Sequence, residues 1–384
     1  MKPFASAHAT HPLPQMAMAL AAAQIDAQRA ESGLQPTLGW LYLSARFVSA
    51  AEVLLDEARQ RWPGVDWVGC SAIGLIAGEA EYFDDEPALA LMLAELPREQ
   101  FRVFSGAAPL ARWPAELAQV HADAAAPELG ELLQDMASHT RDGYLFGGLP
   151  SSQPTEAGVQ VANGVWRGGL SGVAFGPGIE IISRVSQGCQ PLGEEREVSD
   201  CDGNLLLALD GEPALDLLLQ DLALPVLTEA DDWREALPRL RQTLAGLRRT
   251  ALSAQPRLHA FGPEVMVRHL VGIDPARHGV AIGERLHQGD HLSFCQRNRE
   301  AARRDLVRIC AELRELAGER PMLGAVYVSC AGRGGPHFGS PSAEARIVRH
   351  ALGEVPLVGF FAAGEIAHQH LYGYTGVLSV FLGP

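Results

Sequence analysis

A chain of 384 residues, 47% hydrophobic and 20% charged, has the composition of globular domains rather than of a disordered segment, and at ~150 residues per domain it has room for two or three. Its formal net charge of −15 excludes nucleic acid and anionic membranes as main partners, since either would meet long-range repulsion, although local arginine pockets can still hold anions. Lys2 is the only lysine, which excludes a pyridoxal Schiff base, an amine nucleophile of the aldolase kind and a P-loop lysine.

From the N-terminus, residues 1–30 read as an extension. Its apolar run MAMALAAAQIDAQ is short and ends in polar residues, so no secretory signal is expected. No segment approaches the ~20 apolar residues of a membrane helix. The six cysteines, Cys70, Cys189, Cys201, Cys295, Cys310 and Cys330, lack C-x-x-C spacing, which points to free thiols in a reducing cytoplasm.

LGWLYLS (38–44) then reads as a strand, SAAEVLLDEARQRW (49–62) as a helix, DWVGC (66–70) as a buried strand and ALALMLAEL (88–96) as another. A Gly- and Pro-punctuated middle follows, with strand-like runs at 143–148, 159–166, 169–176 and 179–186. GEPALDLLLQDLAL (211–224) reads as a helix, and the acidic TEADDW (228–233) as the domain boundary. Beyond it come strand-like runs at 265–274, 278–286 and 291–297, then a helix from Arg299 to about Leu316. The C-terminal part repeats the first pattern: LGAVYVS (323–329), the helical SPSAEARIVRHAL (340–352), VPLVGFF (355–361) and GVLSVFLG (376–383).

The frame V-G-x-x-x-x-G-x-I-A occurs in VGCSAIGLIA (68–77) and again in VGFFAAGEIA (358–367). The second copy lies 285 residues downstream at its first strand (323 against 38) and 290 at the turn (358 against 68), so its first loop, CAGRGGPHFG, is about five residues longer. Same order and near-constant offset indicate a duplicated strand-helix-strand-strand unit at the two ends of the chain. The fold class is α+β (mixed α/β), with domains at 31–228 and 229–384.

The stretches VYVSCAGRGGPHFG, VPLVGFFAAGEIA and LYGYTGVLSVF resemble the C-terminal FIST domain. GCSAIG, SQGCQPLG and LDGEPALDLL resemble the N-terminal FIST domain, and together the match runs from about residue 35 to the end. The resemblance implies a sensory, small-ligand-binding module of signal transduction, in a family that includes haem-binding, nitric-oxide-responsive bacterial proteins and the receptor part of an F-box protein. Output would then pass through another protein, such as a histidine kinase or a cyclic-dinucleotide enzyme. Only AHQHL separates G-E-I from YGYT, where relatives often have a longer segment.

Cys330 opens into AGRGG, where the amides of Gly334 and Gly335 can form an anion nest and Arg333 offers a planar fork to a carboxylate or phosphate. Gly364 and Glu365 end the neighbouring strand. The two turns meet either as a ligand site of Cys330, Arg333 and Glu365, or as a buried thiol beside an Arg333–Glu365 ion pair. Cys70 and Ser71 form the corresponding turn of the first copy, where Leu75 replaces the acid. GCSAIG is not a G-x-S-x-G nucleophile elbow, and its Ser reads as a turn residue. His368 and His370 are weak metal candidates, two apart and without further ligands at a recognisable spacing. A Cys330 hydrolase is the enzyme alternative, but no nucleophile-base-orienter order supports it, so a non-catalytic sensor is expected.

Overall fold

The computed structural model describes residues 2–83, 85–111, 113–152, 157–227, 229–249, 261–262 and 264–384. The architecture is mixed α and β. The chain divides into two compact units, one running to Ser186 and resuming at Arg303–Pro384, the other spanning Gln187–Ala302. The second unit is therefore inserted into the first, a division unlike the linear split at 228/229 that the acidic stretch suggests. Thr228, the first residue of that stretch, lies outside the described residues.

The first unit is built from one motif used three times. Each repeat has a leading strand, a helix, a second strand parallel to the first, a short hairpin and a return strand antiparallel to the leading one. In the first repeat these are Leu38–Ser44, Ala51–Arg61, Asp66–Ala72, the pair Leu75–Ala77 and Ala80–Tyr82, and Ala88–Ala94. In the second they are Ala115–Ala122, Leu129–Ser138, Thr140–Leu149, Gln160–Ala162 with Val165–Trp166, and Leu170–Phe175. In the third they are Met322–Cys330, Ala343–Leu352, Leu357–Ala362, Gly364–Ala367 with His370–Tyr372, and Thr375–Leu382. The duplication legible in the sequence is thus a triplication.

The hairpins are exchanged in a cycle. The first repeat's hairpin pairs with the third repeat's second strand, the second's with the first's, and the third's with the second's. Each sheet consequently holds six strands, with Phe4–Thr10, Phe101–Phe104 or Ile181–Gln187 as the far edge.

One backbone position makes the motif possible. Gly69, Gly147 and Gly359 lie opposite Leu41, Val120 and Tyr327 in the parallel ladders. A Cβ at these glycines would fall 1.9, 1.9 and 1.7 Å from the carbonyl oxygens of those partners. Gly69 and Gly147 also have φ of +151° and +142°, a region that L side chains rarely adopt. Gly147→Ala is therefore expected to lower stability by at least about 3 kcal/mol in urea denaturation. Gly106→Ala, whose Cβ would meet nothing within 4 Å, is the control and should stay within about 0.5 kcal/mol.

The leading strands also carry a buried polar seam. Trp40 Nε1 donates to Gln119 Oε1 at 2.7 Å, and Gln119 Nε2 donates to the Tyr42 hydroxyl at 2.7 Å. His121 lies between the Tyr42 and Phe360 rings with neither ring nitrogen hydrogen-bonded, and burial pushes it down to about 3.

The N-terminal extension contributes a strand and a helix to the first unit. Phe4–Thr10 pairs antiparallel with Ala88–Ala94 over its whole length. The helix Pro14–Ser32 then buries Ala17, Met18, Ala21, Ala22 and Ile25 against the first repeat and ends at Gly33 in the left-handed region. Alanine at three of the buried helix positions, 17, 21 and 22, permits close approach but gives a weak hydrophobic contrast, which hides the helix in the sequence.

In the inserted unit, His291–Arg297, Arg196–Asp202, Leu205–Leu209, Gly279–Ile282, Met266–Asp274 and Thr243–Arg248 pair antiparallel in that order, and the last pairs again with the first. The sheet closes on itself as a barrel, which leaves no open edge among these strands. Its core includes Val198, Leu206, Leu247, Val280 and Phe294, with Leu215 and Leu218 of the helix Ala214–Asp221 packed in the same cluster.

Candidate ligand site

The third repeat's long loop begins by turning its amides inward. The Cys330 carbonyl accepts the Arg333 and Gly334 N–H groups at 2.9 and 3.1 Å, and Ala331 N–H donates to Ala362 O at 2.8 Å. The amide of Gly334 is therefore not part of an open nest. Its missing side chain makes room instead, since a Cβ there would lie 2.3 Å from the Phe361 ring and 2.4 Å from Phe83.

Arg333 is only 1% exposed. Its Nε donates to Glu344 Oε1 at 3.0 Å, Nη1 to Ser186 O at 3.0 Å and Nη2 to Ser186 Oγ at 2.7 Å, with Phe338 stacked 5.2 Å from Cζ. The same Glu344 oxygen accepts the Tyr327 hydroxyl at 2.5 Å and the Ser329 hydroxyl at 2.8 Å. The ion pair expected between Arg333 and Glu365 is thus made by Arg333 and Glu344. The fork offered to a ligand in the sequence reading is occupied from within the fold.

Glu365 is fully buried and pairs across the ladder with Gly148. The Thr375 amide and hydroxyl donate to Oε2 at 3.1 and 2.8 Å, while Oε1 meets no donor in hydrogen-bonding geometry. Burial pushes its carboxyl up to about 8, against the opposing pull of Thr375 and the Arg333 charge. The equivalent hairpin positions are Leu75, opposite Phe360, and Gln160, opposite Cys70. An acid, an amide and an alkyl chain thus fill one structural position, and the acid is held protonated at neutral pH. Beside it, burial first and the Glu365 carboxyl second push the Cys330 thiol far above its ordinary value. Gly364 precedes the acid where a Cβ would come 2.9 Å from Leu371.

Cys70 and Ser71 lie inside the first sheet. Ser71 exchanges hydrogen bonds with Val159 through its amide and its hydroxyl, both at 2.9 Å, and burial pushes the Cys70 thiol well up. Among the described residues no hydrogen bond or ion pair joins either to Cys330, Arg333 or Glu365. His368, in a left-handed turn at φ +54°, sits edge-on to Tyr144 at 4.5 Å, whereas His370 lies 6.4 Å from the Tyr372 ring. Burial, then the charge of His370, lowers the His368 value. No group of three or more His, Cys, Asp or Glu among the described residues is arranged to hold a metal ion.

The loop's open space lies farther along. Gly335, Gly339, Ser340, Pro341 and Ser342 face Glu81, Phe83 and Glu86 of the first repeat across a cavity of about 380 Å³. Hairpin exchange is what brings these segments together, because Leu75–Ala77 pairs with Leu357–Ala362. The Glu81 amide donates to Ser342 Oγ at 3.1 Å and the Ala345 amide donates to Glu81 Oε1 at 2.8 Å, so Glu81 caps the helix Ala343–Leu352. The Gly335 amide also faces this carboxyl. Amides of the loop and helix start do gather an anion, but the anion is Glu81. Its Oε2 is buried without a partner, and burial pushes the carboxyl up to about 7. Phe83 rests on Phe361, with ring centroids 4.0 Å apart. The longer third-repeat loop was the sequence signal for this cavity; Glu81 and Phe83 gave none, since their place depends on the exchange.

Residues 37–212 match the FIST N domain and residues 214–368 the FIST C domain. An uncharacterized protein of Mycobacterium tuberculosis is 32% identical over 394 aligned residues, covering 96% of this chain and 97% of that protein. One of Mycobacterium bovis is 28% identical over 375, covering 91% and 92%. FIST domains are sensory domains of signal transduction. The chain, matched over most of its length by both domains and over nearly all of it by these relatives, belongs to the FIST family.

Proposed function

We propose that the protein is a non-catalytic cytoplasmic sensor whose small ligand binds in the cavity between the first repeat's hairpin and the third repeat's loop. The supporting observation is the cavity's construction: two distant stretches of chain meet there, one wall carries a half-titrated acid, and the volume suits a small metabolite. A ligand touching both walls would bias the hairpin and the start of the helix that carries Glu344, the partner of Arg333. The output then passes to a partner protein, a histidine kinase or a cyclic-dinucleotide enzyme. The acidic surface fits a role apart from nucleic acid and membranes, and no helix among the described residues is long and apolar enough to cross a membrane. Five of the six free cysteines are buried, as suits thiols kept reduced.

A thiol held protonated by burial and a neighbouring carboxyl is a poor nucleophile, which supports the non-catalytic reading over a Cys330 hydrolase. Haem, which the family resemblance raises, does not fit these residues. An axial His, Cys, Met or Tyr is needed, and none is among the described residues lining the cavity, while His368 and His370 face separate aromatic rings. A library of small metabolites should contain compounds that raise the thermal midpoint of the wild-type chain and leave Ser340→Phe unmoved, since Ser340 is an exposed wall residue where a ring would fill the space. Stabilisers that act equally on both proteins would place binding elsewhere.

A further inference from the structure

We propose that the cavity selects a small organic cation, an amine or guanidine carrying a flat apolar body, and this assignment rests on the cavity being the ligand site. The described wall residues include two carboxyl groups, Glu81 and Glu86, one aromatic ring, Phe83, and no lysine or arginine. The anion-attracting features nearby, the helix start and the Gly335 amide, are already met by Glu81. An incoming anion would face both glutamates with no compensating cation among the described wall residues.

A cation reverses each of those terms. Glu81 Oε2 is a buried acceptor without a donor, and an ammonium or guanidinium brings N–H donors with charge of the required sign. Exposed Glu86 extends the negative wall toward solvent. Phe83 is held by Phe361 on one side and borders the cavity, so it can take the apolar body or the charged head. Glycines at 335 and 339, with φ of +60° and +90°, leave part of the opposite wall without side chains, which favours a flat group over a branched one.

Three probes of one shape separate the possibilities: benzylamine, benzyl alcohol and benzoate, each titrated into the full chain at pH 7.5 by calorimetry. Benzylamine should bind saturably and at least ~10-fold more tightly than benzyl alcohol, and benzoate should not bind. Glu86→Gln should weaken benzylamine several-fold, Phe83→Leu should weaken it by a similar factor, and Ser340→Phe should abolish binding. If benzyl alcohol or benzoate binds as tightly as benzylamine and is lost in Ser340→Phe, the cavity remains the site and its charge selection is overturned. Absence of any benzylamine binding also overturns the cation assignment. Benzylamine binding that survives in Ser340→Phe overturns the location, and the functional reading falls with it.

Discussion

Arg333→Ala is expected to cost about 3–5 kcal/mol of folding stability, because it leaves the Glu344 carboxylate buried without its charge partner. The loss should appear as a lower urea midpoint with an unchanged slope. Arg333→Lys should recover only part of it, since a single ammonium cannot reproduce the fork that reaches Glu344 and both oxygen atoms of Ser186. The double variant Arg333→Met with Glu344→Gln should be more stable than Arg333→Ala alone, as no unpaired charge remains inside. An exposed ligand-binding arginine would behave otherwise, and its removal would stay within about 0.5 kcal/mol.

Glu365→Gln carries the second large effect, and its size should depend on pH. In the folded chain this carboxyl titrates at about 8, against an ordinary 4.5. Below the ordinary value both states hold the proton and the group contributes no pH dependence. As pH rises toward 8 the unfolded chain releases its proton and the native chain keeps it, so stability falls, by up to about 1.4 kcal/mol per unit. The amide removes that slope. Glu365→Gln should therefore be close to neutral at pH 4.5 and stabilising by about 3–5 kcal/mol at pH 8.5 relative to wild type. Glu81, raised to about 7, leaves a slope of the same sign that ends near that pH in both proteins. A variant equally destabilised at every pH would show that Glu365 is charged and paired in the native state.

The strands at 38–44 and 291–297 were legible to the residue, since short apolar and aromatic runs bounded by turns mark them locally. The two end copies were legible because Gly69 and Gly359 keep their flanking valines. The second repeat was not, since YLFGGL retains the glycine but its leading strand, AELAQVHA, puts Gln119 and His121 where the first repeat has Trp40 and Tyr42. Period and composition cannot reveal which sheet receives a hairpin, so Glu81 and Phe83 stayed invisible as site residues. The partner of Arg333 was misplaced for a related reason. Glu365 lies in a strand that leaves for the second repeat's sheet, whereas Glu344 opens the helix directly beyond the loop.

Amide hydrogen exchange across the whole chain, with and without the strongest stabiliser found in the metabolite library, tests the ligand cavity most directly. Slowed exchange should be concentrated in residues 75–86 and 335–352, the two segments that only hairpin exchange brings together. Protection confined to other segments, with these two unchanged, would contradict it.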